Sequence, residues 1–499
     1  MGRWDALGLA MWGIFGVGLV VLVQRFDAEQ KVIESALSSS PELQPGVEWL
    51  GVYAGSEKVG YTRTERQRTD DGWHLEVQSV MRLSMMSVEQ HLELEVDAYT
   101  DDALTLKRFT FSVDAGPAEL SGEGEVEGVA PDLTLKLTLD TAGSESTRLI
   151  PLSRPPALQA TLGPALGQRT LIPGETFTLG LFDPITQQEQ AVEIEVVGPE
   201  TISALGQIVE TTRIKQRIGG LVLDAWLNPR GEILKQQLAM GMVAIRETEA
   251  QARWGVSFGP QKAVDLFEKT LIKVDDMPGD IRKRNSLALS LSGISFQGLD
   301  LDGDRQRFDP QTGKLEIHKE PPPTGLKLPT TLNTHLEATA LIQADHPDIV
   351  ALAREITEGR DDTVQVATDI SKWLKRHITQ QRVIGVPSAL EVLKTRVGDC
   401  NEHSVLFAAL ARARGVPTRV VAGLVWFVPR SEEGRFGYHA WNEIAVQGPD
   451  GHRWHTVDAT WNQMPADVGH VRLVVGDLGR QVELLRAIGQ LVIERAPTP

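Results

Sequence analysis

Cys400 is the only cysteine in the chain, and it follows Gly398-Asp399 at the start of a helical run, 400–414, that Gly415-Val416-Pro417 brings to a stop. Asp399 is a suitable N-cap, and Glu402 three residues later completes a capping box, which places the sulfur near a helix N-terminus. Backbone N–H groups and the positive end of the helix dipole favour a thiolate there, whereas Asp399 and Glu402 oppose it, so a cationic partner is required. His439, in the strand pattern Tyr438-His439-Ala440-Trp441-Asn442-Glu443, and Asp458, closing His455-Thr456-Val457-Asp458, are the candidates. If these strands pair as a hairpin across 448–451, both residues stand about ten positions from the middle of the turn and meet near one end. The chemistry would be acyl transfer: the thiolate attacks a carbonyl, the imidazole pairs with it and then protonates the leaving amine, and the carboxylate fixes the ring tautomer.

Each residue alone has a plainer explanation: a buried inert thiol, a strand histidine, a turn aspartate. Their combination carries the reading. His403, His452 and His455 lie nearby, but their spacing reproduces neither a zincin helix nor a structural zinc site, so no metal and no cofactor are expected. Asp300, Asp302 and Asp304 lack the EF-hand spacing and read as an acidic turn. Among the tryptophans, Trp426 and Trp454 are expected in the core and Trp441 along a substrate cleft.

The elements that must position these residues belong to a chain of 499 residues, long enough for about three domains. Hydrophobic residues at 41% and charged residues at 23% are ordinary for a globular protein. Lys+Arg 50 against Asp+Glu 67, a net charge of -17, leaves no global basic field for nucleic acid, and one cysteine excludes an internal disulfide. Residues 6–23 carry no charge and just suffice to cross a bilayer, which predicts a transmembrane signal anchor over 1–26 and makes the lipid bilayer a partner. The expectation is a single-pass protein of a bacterial inner membrane with its bulk periplasmic or extracytoplasmic. A polar linker over 27–46 precedes an antiparallel β-rich domain over 47–255, where short alternating strands are broken by Asp70-Asp71-Gly72 and Asp101-Asp102. A small β-rich segment and Pro-rich linker cover 256–328, and the catalytic domain covers 329–499, with helices predicted at 347–358, 362–377 and 388–395.

GDCNEHSVLFAALARARGVPTRVVAGLVW, YHAWNEI and WHTVDATW resemble the three core motifs of the transglutaminase-like superfamily. The resemblance spans 345–478 and includes Arg419 and Trp441. It implies a papain-like fold in which Cys400, His439 and Asp458 form the catalytic triad. The fold class expected for the whole chain is therefore α+β: a transmembrane helix, an antiparallel β-rich domain that is structural or presents substrate, and a papain-like core. The function implied is a membrane-anchored cysteine enzyme that attacks amide or peptide bonds of proteins or peptides through a thioester and passes the acyl group to an amine or to water. The alternatives are a cysteine protease of the cell envelope and a catalytically silent binding or assembly protein with a vestigial triad.

Overall fold

A computed structural model describes residues 43–496 apart from 86–87, 116–118, 129–131, 142, 184–186, 219, 255, 257–269, 276, 278–280, 324–329, 382–386, 429–432, 449–450, 477, 482 and 485–486. The anchor expected over 1–26 lies outside the described residues. No helix among them is long and apolar enough to cross a membrane.

The first half of the chain obeys a period of two. In Leu133–Thr141 the four leucines at 133, 135, 137 and 139 are no more than 8% exposed and alternate with Thr, Lys and Asp, so one face of the strand is core. Repeated along the chain, this pattern builds a single antiparallel sheet of fourteen strands from β1 (Gly46–Ala54) to β14 (Met242–Glu247). Neighbours pair in sequence from β8 (Ser144–Leu152) back to β1, β1 pairs with β14, and pairing continues back to β9 (Thr176–Asp183). A short helix, α1 (Gln159–Gly167), joins β8 to β9 and packs against the 228–232 turn so closely that a Cβ at Gly167 would stand 1.9 Å from the Arg230 carbonyl oxygen. The capped turn α2 (Glu249–Arg253) closes this half.

The fold class α+β is overturned: among the described residues strands make up 51% and helices 19%, and one antiparallel sheet supplies most of the strand. The reason is physical. Strands of up to 17 residues, as in Gln188–Ala204, place far more of the chain in sheet than the short strands expected, and even the second half is organised around antiparallel sheets.

In that second half, β15 (Ile272–Lys273), β21 (Thr418–Phe427), β22 (Arg435–Gly448) and β24 (His470–Val475) form a sheet in the order β15-β22-β21-β24, with β23 (Gly451–Val457) added to β22. A second sheet, β17 (Gln306–Asp309), β18 (Lys314–His318), β16 (Ser286–Ser292) and β25 (Val492–Arg495), shares one hydrophobic core with it through Leu289, Leu315, Leu424 and Phe436. The helices α3 (Pro347–Ile356), α4 (Thr363–His377), α5 (Ala389–Thr395) and α6 (Cys400–Ala413) cover another part of the site sheet. Residues 403–411 of α6 are all between 0 and 4% exposed, so this helix is central and buried on every side, with 405–411 wholly apolar.

The two halves meet at α5 and at 338–341. Ala340 and Leu341 enter the core of the large sheet, Arg148 donates to the Ala338 carbonyl at 3.3 Å, and the Glu391 carboxylate accepts the backbone N–H of Glu119. Burial between them outweighs that N–H and raises Glu391 from 4.5 to about 7. A raised carboxyl contributes stability that is complete below the unfolded value of 4.5 and is lost as pH rises through 7. Between pH 5 and 8 the melting temperature should fall more steeply in the wild type than in Glu391→Gln, a difference that thermal denaturation at fixed ionic strength measures.

Candidate functional site

The sulfur lies where α6 begins. Asp399 is the N-cap, its Oδ1 accepting the Asn401 N–H at 3.0 Å, and Glu402 Oε2 accepts the Asp399 N–H at 2.8 Å, so the expected capping box is present. Gly398 makes room for it: a Cβ there would stand 2.2 Å from the Glu402 Cβ. The parallel pairing of Thr379–Gln380 (β19) with Val397–Gly398 (β20) anchors the approach from the other side.

On β22, His439 pairs with Gly423 of β21. The opposite edge of β22 is occupied by β15 at Arg435 and Phe436 and by β23 from Asn442 onward. Among the described residues no strand covers that edge between 437 and 441, and the start of α6 docks there, with the Ala440 N–H bonded to the Cys400 sulfur. Asn442 Nδ2 donates to the Ser404 carbonyl at 3.0 Å and holds helix and strand together. The thiol is thereby one residue along β22 from His439.

Cys400 is half-buried. Burial pushes its thiol well above the ordinary value and the Asp399 carboxylate adds to this, while the Ala440 N–H acts in the opposite sense. The thiol is protonated at rest, and the helix start does not by itself produce the thiolate that its position suggested. Glu402 is likewise raised well above its ordinary range, by burial first and then by the neighbouring Asp399.

His439 Nε2 lies 2.9 Å from Asp458 Oδ2, which leaves Nδ1 as the ring nitrogen available to the thiol. The hairpin forms with Gly448 opposite Gly451, but the last paired residues are Asn442 and Val457. Asp458 is therefore one step beyond the ladder and reaches His439 obliquely, not from the facing position. A bridge with Gln463, both N–H···O contacts at 2.9 Å, fixes it, and its Oδ1 accepts the Trp461 N–H at 3.1 Å.

A second histidine, absent from the sequence reading, completes the cluster. His470, at the start of β24, places Nε2 3.2 Å from the same Asp458 Oδ2 and Nδ1 3.2 Å from Asp467 Oδ1. Its signal in the sequence is weak: a histidine three residues after an aspartate, opening an apolar run. Burial opposes ionisation of Asp458, which has no solvent exposure, but His439 and His470 outweigh it and hold the carboxyl far below the usual carboxylate range. Burial also disfavours the cation on His470, and Asp458 and Asp467 overcome it, leaving His470 raised.

The aromatic residues divide around this cluster. Half-buried Trp461 stacks on His439 with centroids 4.8 Å apart, whereas Trp441, expected along a cleft, is 1% exposed and packs edge-on to His470 at 5.3 Å. Trp426 is buried, and Trp454 lies beneath Arg419 at 4.0 Å. Arg419 Nε donates to Glu443 Oε2 at 2.8 Å, so it braces β21 against β22. None of the three histidines weighed as ligands joins the cluster. His403 Nδ1 is 2.6 Å from the Asp399 carbonyl and burial lowers its pKa; His455 faces Glu320 at 2.6 Å; His452 is exposed. Carboxylates of the acidic turn accept backbone N–H groups: Val475 at 2.8 Å on Asp300, Phe308 at 2.9 Å on Asp302 and Trp454 at 2.7 Å on Asp304.

Among the described residues, His439, Asp458 and His470 could offer a metal three ligand atoms, all within 4.8 Å of one another. Both Nε2 atoms already face one carboxylate oxygen, so an ion would have to replace two hydrogen bonds. The arrangement is that of a hydrogen-bonded relay, Asp467-His470-Asp458-His439, ending one residue along β22 from the Ala440 N–H that meets the sulfur. A raised histidine contributes stability that is complete below 6.5 and is lost as pH rises through its folded value. His470→Gln should therefore lower the melting temperature more at pH 6 than at pH 9; an equal loss at both would remove His470 as a cationic partner of Asp458.

Residues 350–459 match the family model of the Transglutaminase-like superfamily. No curated protein matches the chain. Solved structures similar to it include a candidate cysteine protease from Cytophaga hutchinsonii (15% identity, 45% of this chain and 78% of that one, TM-score 0.27). Another is the periplasmic domain of TgpA from Pseudomonas aeruginosa bound to ethylmercury (20% identity, 36% and 74%, TM-score 0.24). A third is a β-barrel-like protein, a domain of unknown function, from Brucella abortus (14% identity, 42% and 97%, TM-score 0.32).

Proposed function

With residues 350–459 identified as a transglutaminase-like core, we propose that the protein is a cysteine acyl-transfer enzyme acting on amide bonds of proteins or peptides through a thioester on Cys400. The observation that supports this most is the convergence at β22, where the Cys400 sulfur lies on the Ala440 N–H and the adjacent His439 is bound through Nε2 to a buried, ionised Asp458.

The order of events follows from the charges. Because the resting thiol is neutral, attack on the carbonyl carbon is accompanied by transfer of its proton to His439 Nδ1. Asp458 stabilises the imidazolium that forms and keeps the ring in the tautomer with its proton on Nε2. Oxygen of the carbonyl becomes an oxyanion close to the N-terminus of α6, where backbone N–H groups and the helix dipole oppose its charge. Collapse of the tetrahedral species breaks the C–N bond, His439 gives its proton to the departing amine, and the acyl group remains on sulfur. Water or a second amine, deprotonated by the same imidazole, then releases it. Trp461, stacked on His439, shields one face of the ring from solvent.

A catalytically silent binding protein would use the same residues without this proton transfer, and kinetics separate the two readings. Acylation of Cys400 by an activated ester, followed by mass spectrometry, should be roughly 10²–10⁴-fold slower in His439→Ala and absent in Cys400→Ser. Iodoacetamide, which depends on preformed thiolate, should react only at pH above the ordinary thiol range. Equal acylation rates in the wild type and His439→Ala would sink the enzymatic reading.

A further inference from the structure

The large sheet curls on itself. Val96 of β4 (Val88–Thr100) and Leu181 of β9 lie far apart in the strand order, yet both line one cavity of about 410 Å³, within the roughly 300–1,000 Å³ typical of ligand pockets. Register fixes one wall as two rows across four strands: Glu48, Thr64, Val77 and Val96 stand abreast, and Leu50, Thr62, Ser79 and Leu94 form the adjoining row. Three inter-strand steps of about 4.8 Å make that wall roughly 14 Å across, the reach of a medium-length alkyl chain. Leu50, Val77, Leu94 and Val96 are only half-buried along it, so aliphatic surface is left for a guest to cover. Leu181, Phe182, Ile218 and Ile233 line the cavity from the other half of the strand order.

The polar groups of the lining decide what kind of guest fits. Its charged residues are already paired. Arg66 is bound to Glu48 and, at 2.8 Å, to Glu232; Glu48 is also held by Arg246 at 2.7 Å, and Glu232 by Arg230 at 2.8 Å and Asn228 at 2.7 Å. Asp183 is half-buried and engaged as well. A charged head would find no unpaired counter-ion among the described residues of the lining, and taking one from a buried pair is costly. The remaining polar side chains are hydroxyls and amides, those of Thr62, Thr64, Ser79, Gln159, Gln190 and Gln236. Thr62 Oγ1 and Ser79 Oγ lie 2.9 Å apart; two hydroxyls carry two protons and their mutual bond uses one, which leaves the pair able to donate once more and to accept. Gln159 is exposed, so the lining reaches solvent at the first turn of α1.

We propose that this cavity is a binding site for a single-chain amphiphile with an uncharged head, an alkyl chain that ends in a hydrogen-bonding group such as a hydroxyl. The aliphatic wall and the facing Phe182, Ile218 and Ile233 remove the chain from water, and the hydroxyls and amides of the lining satisfy the head. The closed ion pairs select against a head of either charge. Binding is independent of Cys400, since no residue of the thiol site lines the cavity.

The test uses the full chain and displacement of the uncharged dye N-phenylnaphthylamine, followed by fluorescence. Dodecanol should displace the dye at least about tenfold better than dodecanoate or dodecylammonium, because only the charged heads must enter without a counter-ion. Each CH₂ added from octanol to dodecanol should tighten binding by up to about fourfold. Val96→Trp, which fills the wall from a half-buried position, should abolish displacement while far-UV circular dichroism stays unchanged; Cys400→Ser should bind as the wild type does. Displacement by dodecanoate or dodecylammonium equal to that by dodecanol, no displacement in the folded wild type, or full displacement in folded Val96→Trp would each overturn the proposal.

Discussion

A carboxylate without solvent exposure must be surrounded by partners, and Asp458 takes them from three places at once: His439 on β22, His470 on β24 and the Trp461 backbone in the loop that follows. Breaking such a buried charge pair by removing one member typically costs about 3–5 kcal/mol. That penalty ties the ends of β22, β23 and β24 together. The loop 458–463 is itself pinned by the bridge between Asp458 and Gln463, which keeps the anion on the two imidazoles. The thiol is then placed by default. With β15 and β23 occupying either end of one β22 edge, the intervening N–H of Ala440 is satisfied by the Cys400 sulfur.

The electrostatics divide unevenly along this line. Asp458 stays ionised in spite of burial, His470 is favoured as a cation, and Cys400 stays a thiol. A helix N-terminus supplies only about half an elementary charge, which falls short against burial and a neighbouring Asp399 carboxylate. The buried anion is therefore shared between two rings, and His439 is the one that precedes the residue whose N–H meets the sulfur. An imidazole with one nitrogen committed to a carboxylate keeps the other free of that partner, which is what the proposed proton transfer from a neutral thiol requires.

How much of this could be read from residues alone varied with the range of the interaction. The capping box of Asp399 and Glu402, the helices at 347–358, 362–377 and 388–395, and the β22–β23 hairpin depend on neighbours within a few positions, and the structure has them nearly in place. The one-residue overhang of Asp458 and the contribution of His470 were not legible, because both depend on how β24 pairs with β21, a contact made over about 50 residues. Fold class failed for a related reason. Alternation announces strands, but no local pattern states that fourteen of them join one sheet, nor that β1 pairs with β14. Trp441 shows the limit for side chains: its neighbour His439 was identifiable by type, whereas which tryptophan would be covered depended on β24 packing over it.

The pairing of β25 with β16 sets an order of assembly. Leu289 and Leu291 of β16 are matched to Arg495 and Ile493, so a strand made early in synthesis waits for one made about 200 residues later. At about 5–20 residues per second this interval is about 10–40 s on the ribosome. During it the edge of β16 and the apolar surface shared with Leu424, Trp426 and Phe436 have no cover from β25. The large sheet, complete by residue 247, can close well before then. The chain therefore finishes its large sheet first and the core around the thiol last, and a nascent chain stalled before residue 492 would carry Cys400, His439 and Asp458 on an unfinished core.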